Sequence, residues 1–288
     1  MNPEVSVIIP TFNRRALVRE AIVSALAQRG ARFELIVIDD GSNDGTAEDL
    51  TAMQARHSDI LRIERSAHRG VAAARNRGVA LARAPLIAFL DSDDLWMPSK
   101  LERQIEYTRA HPEYKISQCQ ERWIRNGRRV NPGRRHQKRG GDIFVDSLRT
   151  CLVSPSAVMM RTDLFRALGG FDESMPACED YDLWLRVLVS HEVGLLDEVL
   201  VERRGGHPDQ LSATVPALDR FRIGSLLKLM EIAQLSAARR EAVAQVLSEK
   251  GAIYSKGLRR RGRAEDAQCL ERALADALAP PCGHERRI

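Results

Sequence analysis

Through the first hundred residues, short apolar runs alternate with apolar positions at helical spacing. Val5-Ser6-Val7-Ile8-Ile9 is short and β-branched, as a buried strand requires. Residues 15–27 then place Leu17, Ala21, Ala25 and Leu26 at helical intervals. Strands are predicted over 33–38, 60–63 and 86–90, with helices over 46–56 and 71–82 between them. Asn43 or Asp44 is positioned to cap the first of these two helices. Such alternation predicts an α/β fold with a parallel sheet covered on both faces. Ligands in such sheets bind beyond the carboxyl ends of the strands.

The pattern loosens farther along. Ser99 reads as the cap of a helix over 99–111, and residues 123–141 as a polar, glycine-containing segment. A helix over 162–168 stops at Gly169-Gly170, and one over 181–190 offers Leu183, Leu185, Val187 and Leu188 to the core. A strand is predicted over 199–202. After Pro216 only amphipathic helices follow, over 218–233, 237–254 and 264–278, and the tail 280–288 reads as loose. The expected division is a domain over 1–215, with halves 1–112 and 113–215, and a helical extension over 216–288.

Composition narrows the setting. The 288 residues are enough for a sizeable core, and 44% hydrophobic with 29% charged residues is ordinary for a globular chain. A net charge of +5, spread among interspersed acids and bases, does not single out nucleic acid as a partner. Cys119, Cys151, Cys178, Cys269 and Cys282 are scattered, without a C-x-x-C pair, which argues against a disulfide framework or structural zinc. A reducing, cytoplasmic compartment fits, with room for peripheral contact at the inner membrane face. The apolar run at the N-terminus stops at Pro10, too short for a signal peptide, and no run approaches the roughly 20 residues of a membrane span.

The sharpest chemical signal is Asp91-Ser92-Asp93-Asp94, directly after the predicted strand 86–90. Carboxylates crowded at a strand end repel one another unless a counter-charge is present. Mg2+ or Mn2+ shared with substrate phosphates supplies one. The plainer reading is a turn whose Asp94 or Ser99 caps the next helix. Two other strand ends add Pro10-Thr11-Phe12-Asn13-Arg14 and Asp39-Asp40-Gly41-Ser42. Thr11, Asp40 and Asp91 together could meet the base, ribose and phosphates of a nucleotide. Arg75-Asn76-Arg77 adds an arginine that can meet a base or phosphate oxygen. Each has a bland alternative: a turn at Asp39-Asp40-Gly41, a solvated helix face at Arg75.

In these motifs, together with Asn43-Asp44-Gly45-Thr46, Ala74-Arg75-Asn76-Arg77-Gly78 and Glu179-Asp180, the sequence resembles the family 2 glycosyltransferases. The matches run in order over about residues 4–205. The resemblance implies the GT-A fold: a mixed, mainly parallel sheet flanked by helices, here with a C-terminal helical extension. It implies that Pro10, Thr11, Phe12, Arg14, Asp40, Arg75, Asp91 and Ser92 bind a nucleotide sugar, with UDP the first choice of nucleotide and GDP or dTDP the alternatives. Phe12 stands where many relatives carry tyrosine, so a ring remains and a hydroxyl is lost. Asp93 and Asp91 are implied to hold Mn2+ or Mg2+, and His207 is the candidate further ligand; a surface turn is the other reading of that histidine.

The family uses a carboxylate at the position of Asp180 as general base. Physically, an acceptor hydroxyl must lose its proton as it attacks the anomeric carbon. A helix start holds a carboxylate favourably but lowers its pKa, which Glu179 or Asp182 would counteract. The implied reaction is a single displacement with inversion, onto a saccharide, lipid-linked or protein acceptor. The processive relatives' membrane helices and Gln-x-x-Arg-Trp motif are missing, which points to transfer of single sugars.

Weaker signals remain. Arg122, Arg125, Arg128, Arg129, Arg134, Arg135, Lys138 and Arg139 read either as a mobile lid gripping an acidic acceptor or bilayer, or as a solvated loop. Trp96 and Trp184 are readable as sugar platforms or as core. The C-terminal helices have apolar faces for the catalytic domain or for a homodimer. A nucleotidyltransferase or a dinucleotide dehydrogenase would want glycines after the first strand, and Pro10-Thr11-Phe12-Asn13-Arg14 has none. A non-catalytic nucleotide-sugar binder is disfavoured by the joint presence of Asp91, Asp93 and Asp180.

Overall fold

Seven consecutive buried residues form β1 (Val5–Thr11), the axis of the first half of a nine-stranded mixed sheet. It is flanked by β2 (Phe33–Asp39) and β4 (Leu86–Phe89), both parallel to it, so that Ile8 lies opposite Ile36 and Phe89. β3 (Leu61–Arg65) extends the parallel part beyond β2. The helices that return the chain are α1 (Arg15–Leu26), α2 (Thr46–Arg56) and α3 (Val71–Leu81). α1 turns Val18, Ala21, Ile22 and Ala25 inward, into a core with Val7, Ile9, Leu35 and Val37. Asp44 accepts the N–H of Thr46 at 3.1 Å at the start of α2.

The computed structural model describes residues 2–207, 210 and 214–279, without the side chain of Arg135. The expected loose tail 280–288, with Cys282, lies outside the described residues. So do Pro208 and Asp209 of the glycine-histidine loop. Two compact units are present, Met1–Pro216 and Ala217–Ile288.

The second half of the sheet departs from the parallel expectation. β5 (Leu95–Trp96) and α4 (Lys100–Ala110) follow β4, then β6 (Ile116–Arg125), β7 (Arg128–Val130), β8 (Val158–Arg161) and β9 (Gly194–Gly205). β8 runs antiparallel between β4 and β6, β9 runs parallel to β6, and β5 closes the order antiparallel to β9. The segment 123–141, expected as a loop, begins as sheet. β6 continues to Arg125 and returns as β7 through Asn126 (φ 49°) and Gly127 (φ 73°). Two successive positive φ values make the two-residue turn whose twist suits a hairpin, and Asn-Gly is the pair that adopts it readily.

Ser99 makes no side-chain cap at the start of α4. Gln28, just beyond α1, accepts the Leu101 N–H at 2.9 Å instead. α5 (Phe144–Ser147), α6 (Thr162–Ala167) and α7 (Glu179–Leu188) complete the first unit. Trp96 and Trp184 are both buried, which removes them as sugar platforms. The Trp96 Nε1–H donates to the Ser156 carbonyl at 2.8 Å, and Trp184 meets the ring of Phe171 edge-on.

The second unit contains the helices Asp219–Met230, Ala237–Arg260 and Ala264–Leu278. The Ser236 hydroxyl caps the long middle helix through the Arg239 N–H. Lys250 pairs with Asp219 at 3.1 Å and Arg259 with Glu271 at 2.7 Å, tying that helix to both neighbours.

Candidate functional site

The chain leaves β1 at Thr11, whose hydroxyl is buried without a hydrogen-bond partner among the described residues. Pro10 is buried within the strand. Phe12 emerges 38% exposed, and His68 stacks on its ring at 3.9 Å between centroids. Asp40 explains why His68 is there. Its carboxylate accepts the backbone N–H groups of Arg69 at 2.9 Å and Gly70 at 2.8 Å, and contacts His68 Nδ1 at 2.8 Å. Gly41, at φ 84°, lets the backbone of His68 approach; a Cβ there would sit 3.1 Å from the His68 nitrogen. Asp40, expected on a nucleotide, is thus turned into the chain's own loop and shapes the wall formed by Phe12 and His68.

The Asp-Ser-Asp-Asp run leaves β4 one strand away. Arg14 reaches across from the start of α1, 3.2 Å from Asp93 and 3.3 Å from the Ser92 hydroxyl. Burial still pushes the Asp93 carboxyl up despite Arg14, and the neighbouring Asp91 adds to the shift. Burial pushes Asp94 well up too, reinforced by Asp93 and Asp91. Asp94 is a stitch within the fold: it accepts the Ser156 hydroxyl at 2.6 Å and the Arg204 N–H at 2.9 Å. Arg204 also donates to the Asp93 carbonyl at 2.5 Å and pairs with Glu20. Three like charges at one strand end therefore stay together through contacts from α1, β9 and the turn before β8.

Arg75, on α3, is the residue that joins the distant motifs. Only 4% exposed, it donates from one terminal nitrogen to Asp91 and from the other to Glu179, each at 2.6 Å. Desolvation lowers its pKa, but Asp91, Glu179 and then Asp180 together raise it above the usual arginine value. Expected on a nucleotide, Arg75 here spends both terminal nitrogens on these carboxylates. The strand-end acids are thereby tied to the first turn of α7, 104 residues on from Arg75.

That turn is sharply made. Cys178, just before α7, takes the left-handed conformation at φ 62°, uncommon for a non-glycine residue. Glu179 points to Arg75, and burial with the charge of Asp180 raises its carboxyl against the pull of Arg75. Asp182 is buried against Arg186 at 2.9 Å, and Arg186 holds the carbonyls of Leu168 and Gly170. Asp180 is left with the adjacent Tyr181 N–H at 2.7 Å on Oδ1 and a long 3.7 Å contact from the Cys151 thiol on Oδ2. It is the carboxylate of this turn with room for another donor.

Two further residues complete the arrangement. Arg203 stands 5.0 Å above the Trp123 ring with 45% of its side chain exposed. Desolvation lowers its pKa, while Glu121, Asp94, Asp91 and Asp180 together raise it. One guanidinium therefore feels both the Asp91 side and Asp180. His207 follows β9, and its Nε2 is buried without a hydrogen-bond partner among the described residues.

Among the described residues no three His, Cys, Asp or Glu side chains already form a metal cage. A buried histidine nitrogen left open by the described residues, together with a carboxyl that burial disfavours as an anion, nevertheless fits a divalent cation completed by substrate oxygens. A hollow of about 770 Å³ along α1, lined by Arg15, Arg19, Glu20 and Val23 among others, contains none of the site residues.

Pattern reading did not find Arg203, Arg204, Ser156, Cys151 or His68. The first two had a signal, a pair of arginines just after the predicted strand 199–202. The other three had none.

The sequence profile of glycosyl transferase family 2 matches residues 6–169, more than half of the chain. The chain belongs to glycosyl transferase family 2. An uncharacterized glycosyltransferase of Rickettsia typhi is 32% identical over 208 residues, covering 70% of this chain and 64% of the relative. The match thus spans less than two thirds of that relative's length. Staphylococcus aureus TarS 1–349, solved in complex with UDP-GlcNAc, superposes with TM-score 0.75 at 19% identity, over 97% of this chain and 84% of that one. The mannosyltransferase PcManGT of Pyrobaculum calidifontis, in complex with GDP-Man and Mn2+, gives TM-score 0.59 at 20% identity, covering 98% and 82%. The family 2 chain has the GT-A type of fold seen in these glycosyltransferases.

Proposed function

We propose that this family 2 protein transfers a single sugar from a UDP-sugar to an acceptor hydroxyl with inversion at the anomeric carbon, aided by Mn2+ or Mg2+. The observation that carries this reading is the Arg75 bridge. It sets Asp91, beside the strand ends suited to a nucleotide, against the turn that presents Asp180. The nucleotide sugars printed for TarS and PcManGT, and the Mn2+ of the latter, support the donor class and the cation.

In this reading the base lies against the wall of Phe12 and His68, which Asp40 holds in place, and Thr11 offers its free hydroxyl. Arg14 orients Asp93 and Ser92. Asp93, Asp91 and His207 would hold the cation, which when bound supplies positive charge against the departing diphosphate. Arg75 works at one remove, fixing Asp91 and Glu179. Asp180 accepts the acceptor proton as the hydroxyl oxygen forms its bond to the anomeric carbon. The electrons of the breaking bond leave with the nucleoside diphosphate, so one displacement inverts the centre and needs no covalent sugar on the enzyme.

Residues 1–112 form the donor half and 113–215 the acceptor half, with the helices after Pro216 as an extension. The free cysteines fit a reducing, cytoplasmic setting. No described helix is long and apolar enough to cross a membrane.

Asp180→Asn tests the assignment. Released nucleoside diphosphate should fall roughly 10²–10⁴-fold while UDP affinity in Mn2+ holds. Native turnover in this variant would remove Asp180 as the base.

A further inference from the structure

The hairpin of β6 and β7 carries charge that the fold does not use. Arg125 and Arg128 lie directly opposite each other across the Asn126-Gly127 turn. Both are exposed, as are Arg129 and Arg134. None of these four side chains has an ion pair or hydrogen bond among the described residues. Like charges directly opposite in a strand pair destabilise the hairpin. Among the described residues no carboxylate offsets them, although Arg122 on the same strand has Glu202 at 2.6 Å.

The side on which this pair points matters. Glu121, Trp123 and Arg125 alternate onto one face of β6, and the Trp123 Nε1–H bond to Glu121 at 3.1 Å confirms that the first two share it. Trp123 is in register with Arg203 on β9, which stands over its ring. Arg203 is the guanidinium influenced by Asp91, Asp94 and Asp180. Arg203 also lies 4.0 Å from Glu121, which accepts the hydroxyl of Ser154, three residues on from the Cys151 thiol that contacts Asp180 at 3.7 Å. Arg125 and Arg128 therefore extend a face that runs from Asp180 past Glu121 and Arg203 to Trp123. His136 packs against Trp123 at a tilt, 5.4 Å between centroids, and brings the turn of Arg134 to the same place.

We infer that this face of the hairpin, centred on Arg125 and Arg128, is a subsite for an acidic saccharide acceptor. The acceptor carries phosphate or carboxylate close to the hydroxyl presented to Asp180. This rests on the glycosyl-transfer reading and names the acceptor class for it. Trp123 supplies a ring beside the sugar, and paired guanidinium groups match the forked oxygens of either anion. A bilayer surface fits less well. The exposed large apolar side chains among the described residues are Phe12, Val23, Val145, Val199 and Ile253, none on the hairpin, so nothing there would enter the lipid.

The test measures binding to the full chain of three labelled trimers: maltotriose, phosphorylated maltotriose and trigalacturonate. UDP binding in Mn2+ is measured alongside. One or both acidic trimers should bind about tenfold more tightly than maltotriose, and the preference should shrink as salt rises. The double substitution Arg125→Gln with Arg128→Gln should abolish the preference. Arg128→Glu sets opposite charges across the turn, so it should keep or raise the unfolding temperature while also losing the preference; a merely structural arginine would not separate these two readouts. Normal UDP binding with no preference for either acidic trimer overturns the subsite alone. So does a preference for phosphatidylglycerol vesicles over both acidic trimers. Failure of the native chain to bind UDP would instead count against the donor reading.

Discussion

Two cations buried in the same unit meet opposite fates. Arg75, beneath the strand ends, is held between Asp91 and Glu179 at 2.6 Å each and stays firmly charged. Lys100, at the start of α4 on the far side of the acidic run, is fully buried with its ammonium 3.9 Å above the Trp96 ring. Its one hydrogen bond among the described residues is a long 3.5 Å contact to the Val158 carbonyl. Desolvation pushes its pKa down to about 8, opposed only by the Cys119 thiol, which burial has itself raised to about 11. The difference shows what a buried charge is for in each place. Around Arg75 the charge organises two carboxylates that must converge; around Lys100 a long side chain fills the core and its charge is a burden.

The largest expected effect comes from breaking the first arrangement. Arg75→Met leaves Glu179 buried without its partner and should destabilise the fold by about 3–5 kcal/mol, with loss of nucleoside diphosphate release. Adding Glu179→Gln should restore part of the stability in denaturant titrations but not the turnover. If the double variant regained turnover, the bridge would be structural only.

Lys100→Met should move stability the other way, by a smaller amount. The folded pKa near 8 lies below the ordinary lysine value of 10.5, so the unfolded chain binds more protons between these values. Stability of the native protein therefore rises with pH from about 8 to 10.5, and its penalty is complete below 8. The variant should gain roughly 1–3 kcal/mol at pH 7, less the lost cation–π contact, and the gain should fade above pH 8. A net loss of stability at pH 7 would show that the charge is needed where it lies.

The first half of the fold was legible because its central strands β1, β2 and β4 are buried on both faces. Continuous apolar runs mark β1, β2 and β4, and the polar motifs begin where those runs end. β6 was not legible. Its outer residues are half-exposed and arginine-rich, so composition suggested a loop, although Asn126-Gly127 between polar flanks was a hairpin signal in plain view. Pattern also places Asp40 at a strand end without saying which way it turns; the loop 66–70 decides that. Glu179 and Arg75 lie 104 residues apart, and no spacing rule reveals that they touch. Ser99 has the residue type of a cap, but Gln28, from the loop after α1, does the capping.

The central claim is that the strand-end acids and the start of α7 face one substrate. Mn2+ and UDP added to crystals, with the metal located by its anomalous scattering, address it directly. The account predicts a manganese peak at Asp93, with the diphosphate beside it and its sugar-bearing end toward Asp180. A peak elsewhere, or a diphosphate turned away from Asp180, would contradict it.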